Sequence, residues 1–117
     1  RYPMSLTARQ VKEKLEAAFS PRFEVSYLHA LDPHYVPEDS ELIIKLKEAY
    51  TEVTGEEAYC ISIGGATYAR AFKNAVTFGP VFPGQPSVEH GPDEYIEIDA
   101  LVKNAQIIAN AILKLCE

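Results

Sequence analysis

The sequence predicts an α/β fold, on three observations. Apolar residues recur at helical spacing in three long segments. Short, nearly continuous apolar runs lie between them. Turns rich in Gly and Pro separate the two kinds, and that alternation argues for helices packed on strands. At 117 residues the chain is long enough for one modest core.

Thr7 suits the N-cap of a first helix reaching about Phe19, with Val11, Leu15, Ala18 and Phe19 as its apolar stripe. Lys12, Glu13 and Glu16 fall mostly on the other side. Ser20-Pro21 ends the helix, because proline disfavours helical geometry in the residue before it. Phe23, Val25 and Tyr27 alternate with Glu24 and Ser26, so 23–28 reads as a half-buried strand. Asp32-Pro33 and Val36-Pro37 then mark a domain boundary or hinge.

Asp39 or Ser40 caps a second helix to about Thr54, with Leu42, Ile43, Leu46, Ala49, Tyr50 and Val53 on its buried face. Gly55 suits the left-handed residue that commonly ends a helix. Ala58 to Ile63 reads as an inner strand covered on both faces. Gly64-Gly65 breaks it, Thr67 to Phe72 makes a short helix, and Ala75 to Phe78 makes another strand. Gly79 to Pro92 is an irregular loop of the length that often carries function. Asp99 caps a last helix to about Leu115, with Leu101, Ala105, Ile108, Ala109, Ile112 and Leu115 turned inward.

The net charge of −6 argues against a nucleic-acid partner, which needs a basic face. No apolar run is long enough to span a bilayer, and no signal-peptide pattern is present, so no membrane partner is expected. Cys60 reads as a buried free thiol rather than half of a disulfide with Cys116, which fits a reducing cytoplasm. The chain opens on Arg1-Tyr2-Pro3 and holds its only methionine at Met4. It is therefore expected to be a piece of a longer polypeptide.

Two segments have the residue types that chemistry needs. Gly64-Gly65 lies between a strand and a helix, where a backbone without Cβ atoms lets a ligand approach closely. A helix N-terminus there offers unpaired N–H groups to a carboxylate or phosphate. The same pattern also reads as a plain strand-to-helix turn, with Thr67 as a plain N-cap and Arg70 as a solvated helix residue. His90 stands in a stiffened loop beside Gly91 and Pro92, with Glu89 before it and Asp93-Glu94 after it. Neutral imidazole is the commonest metal ligand, and a nearby carboxylate can fix its tautomer. Taken alone the window is more often that of a surface histidine than of a ligand. His29 and His34 match no compact metal motif and read as structural or surface residues.

Three segments in order are Ser62-Ile-Gly-Gly-Ala-Thr-Tyr-Ala-Arg-Ala-Phe72, Phe78-Gly-Pro-Val-Phe-Pro-Gly84 and His90-Gly-Pro-Asp-Glu-Tyr-Ile96. Together they resemble the C-terminal part of bacterial Xaa-His (carnosinase-like, beta-Ala-Xaa) dipeptidases. Those enzymes are similar to the two-zinc aminoacylases, carboxypeptidases and succinyl-diaminopimelate desuccinylases. The resemblance implies residues 1–32 as the end of an α+β lid domain. It implies 33–117 as the C-terminal part of a zinc-peptidase catalytic domain.

It further implies a parent enzyme that hydrolyses dipeptides with water activated by two zinc ions. His90 would be the last metal ligand in sequence. Gly64, Gly65 and Thr67 would line the substrate site, and Arg1 would hold the substrate's terminal carboxylate. Ala66 departs from the pattern, standing where those dipeptidases usually show a third glycine. The catalytic glutamate and the remaining ligands have no counterpart here. The expected catalytic set is therefore empty, the chain alone is expected to be inactive, and its partner is the remainder of the parent chain. The alternative is a free-standing α/β binding module holding a small anion at the Gly64-Gly65 turn. A piece of two domains should expose apolar faces; a free-standing module should close a polar surface.

Overall fold

A computed structural model describes residues 2–26, 28–65, 67–79 and 81–117. Its elements are α1 (Ala8–Phe19), α2 (Glu41–Thr54), a single 3₁₀ turn η1 (Tyr68–Ala71) and α3 (Ile98–Cys116). The chain divides into two compact units, one ending at Tyr35 and the other spanning Val36–Glu117.

In the first unit α1 starts on a complete capping box. The Thr7 hydroxyl accepts from the Gln10 amide at 3.3 Å, and the Gln10 side chain accepts from the Thr7 amide at 2.8 Å. Asp32 reinforces this start: its Oδ1 accepts from the Ala8 amide at 2.7 Å and from the Tyr2 hydroxyl at 3.1 Å. Asp32 therefore anchors the last stretch of this unit to its first helix, a role the Asp-Pro pair does not announce. No residue of α1 is buried, and Phe19 stacks edge-on against Phe23 with ring centroids 6.1 Å apart.

The second unit is built on α2 against α3. Ser40 caps α2 by accepting from the Ile43 amide, and Gly55 ends it in the left-handed conformation at φ 74°. Ile43, Leu46 and Ala49 are buried on α2; Ala100, Asn104, Ile107 and Ala111 are buried on α3. Ala49 is fully inaccessible, and Leu46, Ala49 and Ala111 form a small core that Leu42, Val76 and Phe78 partly cover. Polar groups rim this seam. Asn110 Nδ2 donates to the Ala49 carbonyl at 3.3 Å and to Glu52 at 2.9 Å, and Lys114 pairs with Glu52 at 2.7 Å.

Four expectations are corrected. First, no strand forms among the described residues of 23–28, 58–63 and 75–78; Tyr27 lies outside them. A strand exists only as part of a ladder, and these runs do not pair with one another. Val76 and Phe78 bury against the helices instead, while Ile61 stays 74% exposed.

Second, α3 faces the other way. The seam uses positions 100, 104, 107 and 111, whereas Leu101, Ile108, Ile112 and Leu115 are exposed. Ala105 and Ala109 are exposed with them. Both sets keep the helical period and each holds two alanines, so the period alone does not choose between them; the face that is used is the one on which Ala111 joins Leu46 and Ala49 of α2 in the core. Third, the α3 N-cap is Glu97, without a side-chain cap bond, and Asp99 sits inside the first turn. Fourth, Cys60 is a free thiol but an exposed one, as is Cys116.

Candidate functional site

The loop after Phe78 is fastened to the helices at its base. Gly79 adopts φ 83°, and a Cβ there would lie 2.9 Å from Oδ1 of buried Asn104. The Phe82 ring lies 6.4 Å from that of Tyr50 on α2, with Lys103 Nζ of α3 5.5 Å above it. Gln85 brackets Phe82: its side-chain oxygen accepts from the Phe82 amide at 3.0 Å, and its own amide donates to the Phe82 carbonyl at 3.1 Å.

Beyond this anchor the loop is held by its own bonds. Ser87 Oγ donates to Glu89 at 2.9 Å. Backbone hydrogen bonds to Glu89, and then the Ser87 hydroxyl, hold the Glu89 carboxyl below the ordinary carboxylate range. Gly91 donates to the Val88 carbonyl at 3.1 Å, and a Cβ on Gly91 would stand 3.1 Å from that same oxygen.

His90 lies at φ 62° and Asp93 at φ 57°, both in the left-handed region that side chains disfavour. The His90 amide donates to Glu94 Oε2 at 3.3 Å. The residue is exposed. An imidazole held this way offers one donor nitrogen to a cation. Among the described residues no group of three or more His, Cys, Asp or Glu side chains could hold a metal ion. One donor does not make a zinc site, which takes three or four protein ligands. These residues fit a contribution to such a centre, not the centre itself.

The Gly64–Thr67 segment is also exposed, with Ala66 outside the described residues. Gly65 does not take the positive φ seen at Gly55, Gly79 and Gly84 among the described residues, so its own φ is not one reserved for glycine. A Cβ on Gly65 would meet only Ile63 Cδ1, at an ordinary 3.6 Å. Thr67 is the cap of η1, its hydroxyl oxygen accepting from the Ala69 amide at 3.2 Å. That leaves the hydroxyl proton to donate. Because η1 is a four-residue 3₁₀ turn, its N-terminus lacks the aligned peptides that give a long helix its anion-binding dipole. Arg1 lies outside the described residues. Two shallow grooves, of about 350 and 310 Å³, lie along α2 and beside Phe82; neither is lined by Gly64, Gly65, Thr67 or His90. Among the described residues no hydrogen bond joins the Gly64–Thr67 segment to the His90 loop.

The model of "Peptidase family M20/M25/M40" matches residues 5–114. The chain is 40% identical over its full length to the Bacillus subtilis (strain 168) protein named "Putative dipeptidase YtjP", covering 25% of that relative. It is 32% identical over 115 residues to the "Beta-Ala-Xaa dipeptidase" of Lactobacillus delbrueckii subsp. lactis, covering 98% of this chain and 24% of that one. It thus spans about a quarter of the length of the curated relatives it matches. No solved structure matches it significantly.

Proposed function

The chain belongs to peptidase family M20/M25/M40, and from that premise we propose that it is the C-terminal part of a dipeptidase whose working metal is zinc. The observation that carries the reading is the identity of 40% to a protein named as a dipeptidase, sustained over 100% of this chain. The zinc ions, two in the complete enzyme, would supply Lewis acidity to polarise the scissile carbonyl and acidify a water. His90 contributes one neutral nitrogen to them. No residue here is assigned the general-base role, so the 117-residue chain by itself is inactive.

The remaining roles follow from chemistry. Gly64 and Gly65 leave backbone N–H and C=O groups open to a dipeptide. Thr67 keeps a hydroxyl proton for it, and Arg1 offers a planar, permanent cation to its terminal carboxylate. Residues 1–32 end the lid domain and 33–117 complete the α/β catalytic domain. There the runs at 58–63 and 75–78 join a sheet supplied by the rest of the polypeptide. Two unpaired thiols support a cytoplasmic setting.

The deciding experiment replaces His90 in the complete gene product. His90→Ala should remove zinc and dipeptidase activity together, measured by metal analysis and by hydrolysis of a beta-alanyl dipeptide. Full zinc content and unchanged turnover in that variant would overturn the assignment.

A further inference from the structure

Seven of the residues in the described stretch 87–94 are ordinary L-residues, yet two of them, His90 and Asp93, take left-handed backbone conformations. Something must hold them there, since an unrestrained chain would return His90 to negative φ. Glu89 is not the restraint, because its carboxylate is engaged by Ser87 and the adjoining backbone. The group that reaches the His90 amide is the Glu94 carboxylate.

We infer that Glu94 is a positioning residue, which accepts the His90 N–H and thereby sets the direction in which the imidazole leaves the loop. The bond closes a ring from His90 to Glu94. Pro92 stiffens that ring through its fixed φ. Gly91 permits the close turn onto the Val88 carbonyl, 3.1 Å away. The functional meaning of this mount rests on the reading of His90 as a zinc ligand, whereas the mount itself is a matter of backbone geometry.

The role requires an acceptor oxygen and no charge. Glu94→Gln keeps such an oxygen and Glu94→Ala removes it. In the complete gene product, hydrogen–deuterium exchange by mass spectrometry over the peptide 86–95 reads the His90 amide. Competition with a chromophoric chelator reads zinc affinity. Glu94→Ala should speed exchange in that peptide by on the order of tenfold. It should weaken zinc by about tenfold or more, the usual effect of losing a group that orients a ligand. Peptides from α2 and α3 should exchange as before. Glu94→Gln should stay close to the parent in both measurements.

Unchanged exchange in Glu94→Ala would overturn the inference. So would Glu94→Gln behaving like Glu94→Ala, which would point to the charge instead. Faster exchange in Glu94→Ala, with zinc insensitive to both Glu94→Ala and His90→Ala, would uphold the mount and overturn the ligand reading.

Discussion

The His90 side chain was readable in the sequence as a candidate ligand; its backbone was not. Nothing in a one-dimensional pattern marks a histidine at φ 62°. A stability comparison exposes that conformation. His90→Gly should be more stable than His90→Ala by about 1 kcal/mol, because only the β-carbon makes positive φ costly. Equal urea midpoints would contradict it. Gly79 tests the neighbouring anchor. Gly79→Ala combines φ 83° with a Cβ 2.9 Å from Asn104 Oδ1, and should cost about 1–3 kcal/mol in the same measurement. Gly65→Ala meets neither obstacle and should leave stability nearly unchanged. A loss of dipeptide binding by that variant of the complete gene product would then bear on the proposed substrate role of Gly65 and not on the fold. Thr67 caps η1 through its hydroxyl oxygen, which leaves the hydroxyl proton for the substrate contact proposed above.

Among the elements, helices were the most legible. Thr7, Ser40 and Gly55 act as the caps that their residue types suggest. Helical period, however, defines two faces on α3, and the pattern alone does not say which meets α2. In the fold Ala111 shares the core with Leu46 and Ala49, and Ala49 has no accessible surface left. Ala49→Leu should therefore cost about 1–3 kcal/mol through overpacking, read as a lower urea midpoint without a change in slope. The runs at 58–63 and 75–78 have strand composition but no ladder among the described residues, because pairing is a property of neighbours and not of a segment.

The α2–α3 seam also carries a pH signature. A hydrogen bond from Asn110, then one from Lys114, holds the Glu52 carboxyl below its ordinary range, and the bond to Glu52 raises the Lys114 ammonium above its own. The Glu52 contribution is complete above the ordinary carboxylate pKa and is lost as pH falls through the lowered value. The Lys114 contribution is complete below the ordinary lysine pKa and is lost as pH rises through the raised value. Both groups are solvent-screened, so the effect is small. Glu52→Gln should flatten the acidic limb of urea midpoint against pH, and an unaltered limb would count against the pair.

For the molecule as a whole, exposure is the telling property. Leu101, Ile108, Ile112 and Leu115 on α3, with Tyr59, Ile61 and Ile63, leave apolar surface uncovered in the second unit. That is the surface expected of a part rather than of a free-standing module, and the chain spans 25% of its Bacillus relative. Prepared alone, the 117-residue chain should self-associate and bind a hydrophobic dye. Ile108→Lys with Ile112→Lys should reduce both, as followed by sedimentation and dye fluorescence. A monomeric, dye-silent parent would contradict the partial-domain reading.

The seat of Phe82 has a spectroscopic consequence. The polypeptide contains no tryptophan, so its near-ultraviolet emission is tyrosine emission. An indole placed at position 82, in the ring's place 6.4 Å from Tyr50, would drain that tyrosine's excited state by energy transfer. Phe82→Trp would turn the seating of that ring on α2 into an optical signal: tyrosine emission should be quenched in the folded chain and recover as urea unfolds it.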